Sequence, residues 1–108
     1  MRVNVKALSA NQMWRGRQFK TKEYTTYEVQ LTSLLRPLVV PDGPLEMHIT
    51  FGLSSAGSDL DNCVKGFLDI LQKKYGFNDN RVYRLVLEKV KTKKGAEFID
   101  FSCLAWTP

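Results

Sequence analysis

Residues 45–71 read LEMHITFGLSSAGSDLDNCVKGFLDIL and contain, in succession, the patterns of a strand, a loop and a helix. Over residues 45–51 apolar side chains alternate with polar ones, which is the period of a strand with one buried face. After the serine-rich loop the period becomes helical, and we expect a helix from an N-cap at Ser58 or Asp59 to about Lys74. A half-buried strand followed by an amphipathic helix predicts a domain in which the helix covers the sheet.

The flanking segments extend this unit to six elements. Residues 2–8 alternate like a first strand, and residues 21–35 carry the apolar stripe of a first helix. Residues 81–90 and 96–106 are rich in β-branched and aromatic side chains, and the KTKKG between them predicts a hairpin. We therefore predict an α+β fold of order β-α-β-α-β-β. Its two layers are two helices packed on a mixed or antiparallel sheet of about four strands, and the whole chain is expected to form a single domain.

Composition limits the function classes. With 108 residues, 44% of them hydrophobic, the chain can bury one modest core, and no apolar run approaches the roughly 20 residues of a membrane span. No secretion signal is recognised, so we expect a soluble, cytoplasmic protein without a membrane partner. Cys63, Cys103 and His48 offer no zinc-ligand spacing, and we predict reduced thiols and a surface histidine without a functional role.

Positive charge favours a polyanionic partner. Lysines and arginines exceed acids by 16 to 11, and they concentrate in two clusters. Basic residues interleaved with aromatic ones suit a phosphate backbone beside exposed bases. The predicted DNA-binding residues from these clusters are Trp14, Arg15, Arg17 and Lys20 in the first, and Lys91, Lys93 and Lys94 in the second. The alternative for the second cluster is a solvated hairpin tip.

The polar face of the second helix has an unusual content. Opposite its apolar stripe lie Asp61, Asn62, Lys65 and Asp69, with Asp59 just before them. Two carboxylates separated by one residue suit Mg²⁺, and a nearby ammonium suits phosphoryl transfer, so a nuclease is the natural candidate. The alternative is structural: the aspartates cap the helix, and Lys65 pairs with Asp61 and Asp69 at four-residue spacing.

The segment DLDNCVKGFLDIL, followed after a short gap by GFNDNRV, resembles the signature of the RusA family of Holliday junction resolvases. The matching positions are Asp59, Asp61, Asn62, Lys65, Asp69, Leu71 and Asp79. Nearer the amino terminus, ALSANQMWRGR is similar to that family's loop, in which a serine and an asparagine, here Ser9 and Asn11, precede basic and aromatic residues. The sequence departs from the pattern at Asn78, where the family usually has aspartate, and at Ser58, where it often has a basic residue.

The resemblance implies an endodeoxyribonuclease that depends on Mg²⁺, with Mn²⁺ as a substitute, and acts as a homodimer. Its substrate would be a four-way DNA junction, nicked symmetrically on two opposed strands during recombination and repair. Metal binding and catalysis would fall to Asp59, Asp61 and Asp79, with Lys65 also catalytic and Asn62 and Asp69 in support. The resemblance also adds Asn11 to the DNA-binding residues and implies a phage or prophage gene in a bacterial host.

The spacing of the three carboxylates raises a geometric problem. Asp61 begins the helix and Asp79 follows its end, so roughly 20 Å of helix separates them, whereas ligands of one Mg²⁺ lie about 2 Å from the ion. Either YGFN folds back along the helix, or Asp79 completes the site of a second subunit. We favour the second arrangement, because a dimer that cuts two strands needs two sites near its two-fold axis.

Two competing functions remain open at this level. The same basic surface suits a non-catalytic protein that binds branched or single-stranded DNA, in which the aspartates only cap a helix. Asp79 distinguishes these readings, since capping gives no reason for an acid after GFN. A structural protein without a nucleic-acid partner would leave both basic clusters unexplained.

Overall fold

The structure, a computed structural model, describes residues 1–15 and 19–108. Two long helices and a four-stranded mixed sheet confirm the predicted α+β fold. The strands are β1 (Arg2–Val3), β2 (Trp14–Arg15), β3 (Phe19–Lys20), β4 (Leu45–Leu53), β5 (Val82–Lys91) and β6 (Phe98–Ala105). The helices are α1 (Lys22–Leu34) and α2 (Leu60–Tyr75), with short 3-10 helices at Ala10–Gln12 and Asp79–Arg81.

The sheet has the strand order β1-β6-β4-β5, which overturns the predicted hairpin. β5 pairs in parallel with β4, and β6 pairs antiparallel with β4 on its other side, so β5 and β6 do not touch as partners. The KTKKG segment crosses over the end of β4 instead of turning tightly, and Thr92 donates a backbone hydrogen bond to Leu53. Glu97 holds the crossing in place by accepting from the Ser54 hydroxyl and the Gly95 amide, both at 2.8 Å.

The first strand is shorter than predicted. Only Arg2 and Val3 pair with β6, opposite Asp100 and Ile99. Because the two strands are antiparallel and β6 begins at Phe98, the chain after Val3 extends past the start of β6. The predicted alternation is nevertheless confirmed in burial, since Val5 and Ala7 continue the buried face beyond the ladder. The predicted loop at 9–20 contains the Ala10–Gln12 helix and the β2–β3 pair, and Arg17 lies outside the described residues.

Both helices begin and end at residues that the sequence indicates. The Thr21 hydroxyl accepts from the Tyr24 amide at the start of α1 and donates to the Gln12 carbonyl. Asp59 occupies the N-cap of α2, and Gly76 ends that helix in the left-handed conformation that glycine adopts without strain.

The core lies between the helices and one face of the sheet. β4 contributes alternate residues from Leu45 to Phe51, and α2 contributes Cys63, Phe67, Ile70 and Leu71. Ile70 of α2 is fully buried, whereas Leu60, Val64 and Leu68 of the same helix are only partly buried. Among the described residues, no helix is long and apolar enough to cross a membrane.

Candidate active site

A cleft of about 420 Å³ opens at the end of the sheet where β4 finishes. It forms there because β4 ends at Leu53 and the chain turns through residues 54–58 into α2, while the Ala10–Gln12 helix packs against α2 from the other side. Residues from four separate segments line it, among them Lys6, Asn11, Ser54, Asp59, Asn62 and Glu97. Three predicted site residues, Asn11, Asp59 and Asn62, therefore meet in one cleft.

Asp59 does not perform the structural task that its position suggests. An N-cap carboxylate ordinarily accepts a hydrogen bond from the amide two or three residues later. Within the described residues the Asp59 side chain makes no such bond with the backbone, and it accepts only a 3.4 Å hydrogen bond from the side-chain nitrogen, Nδ2, of Asn62. Capping therefore does not explain Asp59, whose carboxylate remains available to a ligand.

Asp61 and Lys65 are also without structural partners. Both side chains are exposed on α2, and in the part of the chain that the structure describes neither enters an ion pair. The alternative in which Lys65 is held by Asp61 and Asp69 is not realised. The N-cap and first two turns of α2 thus present two carboxylates and an ammonium that enter no ion pair within the described residues.

Lys89 joins this region, which sequence spacing did not predict. From the end of β5 its ammonium donates to the carbonyls of Ala56 and Ser58, at 3.1 and 2.9 Å. It fixes the loop that leads into Asp59 and lies close enough to act electrostatically on the Cys63 thiol. Burial raises the pKa of that thiol, Asp61 and Asp59 raise it further, and Lys89 opposes them. A buried, neutral thiol agrees with the prediction of an inert cysteine.

The lysines of the second basic cluster lie at the same end of the sheet. Lys91 ends β5, and Lys93 and Lys94 occupy the crossing that follows it, where Thr92 bonds to the last residue of β4. All three side chains are exposed, and within the described residues none enters an ion pair. Positive charge outside any ion pair therefore flanks the cleft. The lysines that carry it lie on a connection that crosses from β5 to β6, and not on the tip of a hairpin.

The first basic cluster is described only in part. The backbones of Trp14 and Arg15 form β2, paired with Phe19 and Lys20 of β3. The Lys20 ammonium lies 3.3 Å from a carboxylate oxygen of Glu28, which also accepts from Lys73 at 2.6 Å. The Lys20 ammonium is therefore already paired with the Glu28 carboxylate.

Asp69 lies apart from the cleft. It is two turns of α2 beyond Asp61, about 12 Å along the axis, and it lines a separate groove with Lys20, Gln72 and Lys73. A supporting role for Asp69 stays a prediction that the geometry does not connect to Asp59.

Asp79 lies at the opposite end of α2. The Asp79 backbone amide donates to the Gln72 side chain at 2.8 Å. Gln72 lies eleven residues beyond Asp61 on α2, and eleven residues of helix are about 17 Å long. Arg81 anchors the same segment by donating to the carbonyls of Gly43, at 3.0 Å, and Pro41, before the start of β4. The chain therefore does not fold back, and Asp79 cannot reach an ion held by Asp59 and Asp61 of its own chain.

Asn78, one departure from the RusA signature, has a structural role. Its side-chain oxygen accepts from the Asn80 amide at 2.9 Å and caps the short helix Asp79–Arg81. Asparagine and aspartate perform this task about equally well. The neighbouring Asp79 is thus presented in the same way with either residue before it.

These carboxylates and lysines are the residue types that metal-dependent nucleases use on phosphodiesters. A family model described as Endodeoxyribonuclease RusA matches residues 4–99. The chain therefore belongs to the RusA endodeoxyribonuclease family, as the resemblance at Asp59–Asp79 indicated. No curated protein matches the chain.

Proposed function

We propose that this protein is a Mg²⁺-dependent endonuclease that resolves four-way DNA junctions as a homodimer, nicking one strand at each of two symmetric sites. The observation that carries the proposal is the pair Asp59 and Asp61, whose carboxylates neither cap the helix by a backbone hydrogen bond nor enter an ion pair among residues 1–15 and 19–108. Surface carboxylates without a structural task, beside a free lysine and a basic crossing, suit a site that binds a cation and a phosphate together.

The residues present fit a magnesium ion in part. Asp59 and Asp61 supply hard oxygen ligands two residues apart, and Mg²⁺ commonly takes one or two carboxylates and completes its shell with water and phosphate. Within the described residues no group of three or more acidic, histidine or cysteine side chains could hold a metal, so the remaining ligands of an ion at Asp59 and Asp61 would be water, phosphate or a carboxylate of a second chain. Mn²⁺ prefers similar oxygen ligands and is the expected substitute.

The chain's own residues would bind the phosphate and hold the metal-binding carboxylates in position. A bound Mg²⁺ would supply charge stabilisation at the phosphate under attack. Lys65, exposed and one turn from Asp61, would donate to a phosphate oxygen. Asn62 would steady the Asp59 carboxylate, and Lys89 would fix the loop that carries it. Lys91, Lys93 and Lys94 would hold the backbone of the junction arms.

Junction cleavage tests the proposal directly. A labelled four-way junction and a linear duplex of the same sequence are incubated with the protein, with Mg²⁺ or with chelator. We expect paired nicks in the junction only, dependent on Mg²⁺ and reduced at least about a hundredfold by Asp61→Asn, because the change removes a charged ligand. Asp42→Asn, a matched exposed aspartate at the other end of β4, should cut like the wild type.

Binding without cutting would decide for the alternative. If the wild type and Asp61→Asn bind the junction equally and neither cuts it with Mg²⁺ or Mn²⁺, the protein is a branched-DNA-binding member of its family and the proposal fails.

The separation of Asp61 and Asp79 leads us to place Asp79 in the site of the partner subunit. Mixed dimers of Asp61→Asn and Asp79→Asn chains, isolated through two different affinity tags, test this arrangement. Shared sites give one site with both acids and one with neither, so two inactive parents should yield a dimer that nicks one strand. Sites confined to one chain would leave both sites damaged and the mixed dimer inactive.

A further inference from the structure

Glu97 places a negative charge in the cleft that we propose to bind DNA. Its half-buried side chain lines the cleft together with Lys6, Asp59 and Asn62. A carboxylate in this place repels phosphate and, by its charge alone, lowers the affinity for DNA. An acid is therefore unfavourable here unless it has a task that outweighs the repulsion.

Metal binding does not supply that task. Both carboxylate oxygens of Glu97 already accept hydrogen bonds, one from the Ser54 hydroxyl and the other from the Gly95 amide, each at 2.8 Å. Among residues 1–15 and 19–108, no group of three or more acidic, histidine or cysteine side chains could hold a metal. The bond from Ser54 is the main cause that holds the pKa of Glu97 below its ordinary value, and the charge of Lys6 acts in the same direction. The carboxylate is therefore charged at neutral pH and engaged by its two donors.

The first donor, Gly95, belongs to the turn that carries two of the predicted DNA-binding lysines. The Ala96 amide donates to the Lys93 carbonyl at 2.9 Å, and Gly95 has a φ of 91°, which glycine adopts without strain. Lys93 and Lys94 are the first two residues of this turn, and both are exposed. By accepting from the Gly95 amide, Glu97 holds the backbone beside both lysines.

The second donor, Ser54, belongs to the loop that leads to the metal-binding residues. Ser54 follows the last residue of β4, and the loop ends at Asp59, the N-cap of α2. Lys89 holds the far part of this loop through the carbonyls of Ala56 and Ser58. Glu97 therefore connects the lysine-bearing turn to a loop whose other end is fixed at Asp59.

Two contacts with the end of β4 hold the turn on either side of its lysines. Before them, the Thr92 amide donates to the Leu53 carbonyl at 2.9 Å. After them, Glu97 accepts from Ser54. Loss of the Glu97 carboxylate would remove the second contact and also the hydrogen bond that closes the turn at Gly95.

We infer that Glu97 is a positioning residue for DNA binding, which fixes Lys93 and Lys94 at one spacing from the loop that carries Asp59. The inference rests on the proposed function, since it assigns a task within the same site. Lysines that are ordered before binding lose less conformational entropy on a phosphate backbone than mobile ones. Glu97 therefore strengthens DNA binding although its charge opposes it.

The sign of one substitution tests this inference. Junction binding is measured by fluorescence anisotropy in chelator, so that cutting plays no part. Glu97→Ala should weaken binding about fivefold, because the turn and its lysines must then be ordered on binding. Loss of a negative charge alone would strengthen binding instead.

Glu23→Ala is the matched control for charge. Glu23 is exposed, lies in a groove that Lys6 also lines, and enters no ion pair in the part of the chain that the structure describes. This variant should bind the junction as tightly as the wild type or more tightly. If Glu97→Ala also binds as tightly as the wild type or more tightly, the inference is wrong.

The lysines provide a second test. In a protein that carries Lys93→Gln and Lys94→Gln, Glu97 has no ammonium groups left to position. Adding Glu97→Ala to that protein should then strengthen junction binding through the change in charge. The same fivefold weakening in this background would place the effect elsewhere in the fold and refute the assigned role.

Hydrogen exchange of the free protein tests the mechanism without DNA or metal. Glu97→Ala should speed exchange of the Gly95 and Ala96 amides at least about tenfold, while unchanged exchange in α2 shows that the fold is intact. Glu97→Gln keeps one acceptor oxygen and should give an intermediate rate. Unchanged exchange at Gly95 would overturn the inference. A wild type that binds the junction but does not cut it with Mg²⁺ would instead count against the proposed function alone.

Discussion

Thr21 and Asp59 occupy the same position at the starts of two helices and use their side chains differently. The Thr21 hydroxyl accepts from the Tyr24 backbone amide at 3.0 Å, whereas the Asp59 carboxylate accepts no backbone amide hydrogen bond within the described residues. Sequence reasoning could predict both N-caps, but it could not tell which side chain is committed to its helix. That difference decides which residue is free for chemistry.

Alanine substitutions should separate the two caps. Thr21→Ala should lower the free energy of unfolding by about 1 kcal/mol or more, because a capping hydrogen bond is lost. Asp59→Ala should lower it by less than about 0.5 kcal/mol, since only attraction to the helix end is removed. Denaturant unfolding of both variants measures the difference. Equal losses would mean that Asp59 caps α2 in solution, which would weaken the argument for its availability.

Gly52 is required by a neighbouring ring. A Cβ at this position in β4 would lie 2.3 Å from two atoms of the Phe98 ring, which is itself covered by the Arg2 guanidinium at 3.8 Å. We expect Gly52→Ala to cost about 1–3 kcal/mol by overpacking. Gly57→Ala is the control, because its nearest neighbour would be 3.9 Å away.

A double variant identifies the cause of that cost. In a Phe98→Ala background the ring is gone, and Gly52→Ala should then be nearly neutral in thermal unfolding. An unchanged cost in that background would place the constraint in the β4 backbone and not in Phe98.

At the scale of elements, Glu28 connects its helix, α1, to the helix α2 and to the strand β3. It accepts from Lys73 of α2 at 2.6 Å and from Lys20 of β3 at 3.3 Å, and the hydrogen bond from Lys73 is the main cause that lowers its pKa. A carboxyl whose pKa is lower in the folded state stabilises the fold above its unfolded pKa of about 4.3, and this contribution is lost as pH falls through the folded value.

Glu28→Gln should therefore destabilise the protein by up to about 1 kcal/mol at pH 7, since the pairs are partly exposed. The difference from the wild type should shrink as the pH falls through the lowered folded pKa of Glu28 and disappear below it, where the carboxyl is protonated in both states. Urea unfolding across this pH range measures it. Glu23→Gln, on the same helix without an ion pair in the described residues, should show no such difference at neutral pH.

The two long helices and the four strands of the main sheet could be predicted from the sequence, but the pairing of those strands could not. The burial pattern of β4 and the ends of α2 follow from local periodicity and turn chemistry. The Lys91–Phe98 connection was misread as a hairpin because adjacent strands joined by lysines and glycine usually pair. Here β4 inserts between β5 and β6, and no local signal in KTKKG encodes that insertion.

In the candidate site, too, the residues of one element could be predicted together, whereas the residues that the sheet brings to them could not. Asp59, Asp61, Asn62 and Lys65 were predicted together because a single helix carries them. Lys6, Lys89 and Glu97 were not linked to the site, because only the order of the strands brings those positions to the end of β4. Their signal becomes readable once the sheet is known, since each lies next to the end of β4.

At the scale of the whole molecule, positive charge should act mainly at the end of the sheet that carries the cleft. Lys93→Gln with Lys94→Gln should reduce the slope of log K against log salt for junction binding by about 1.8, if each lysine neutralises one phosphate. The matched control is Arg36→Gln with Lys74→Gln, which removes the same charge at the other end of α2, where Tyr75 bonds to Arg36. Titrations at several salt concentrations measure both. Equal changes in slope would mean that DNA binding follows net charge and not this surface.

The position of β6 between β1 and β4 has a consequence for how the chain acquires its structure during synthesis. β4, α2 and β5 form a parallel unit of neighbouring segments that can assemble as soon as Lys91 has emerged. β1 is made about a hundred residues before Asp100, its partner, and can dock only when β6 has entered the gap beside β4. Contacts between such distant segments form slowly. β1 precedes the other three strands of its sheet in the chain and is therefore the last of them to pair, and until then both β1 and the open side of β4 remain exposed to other chains.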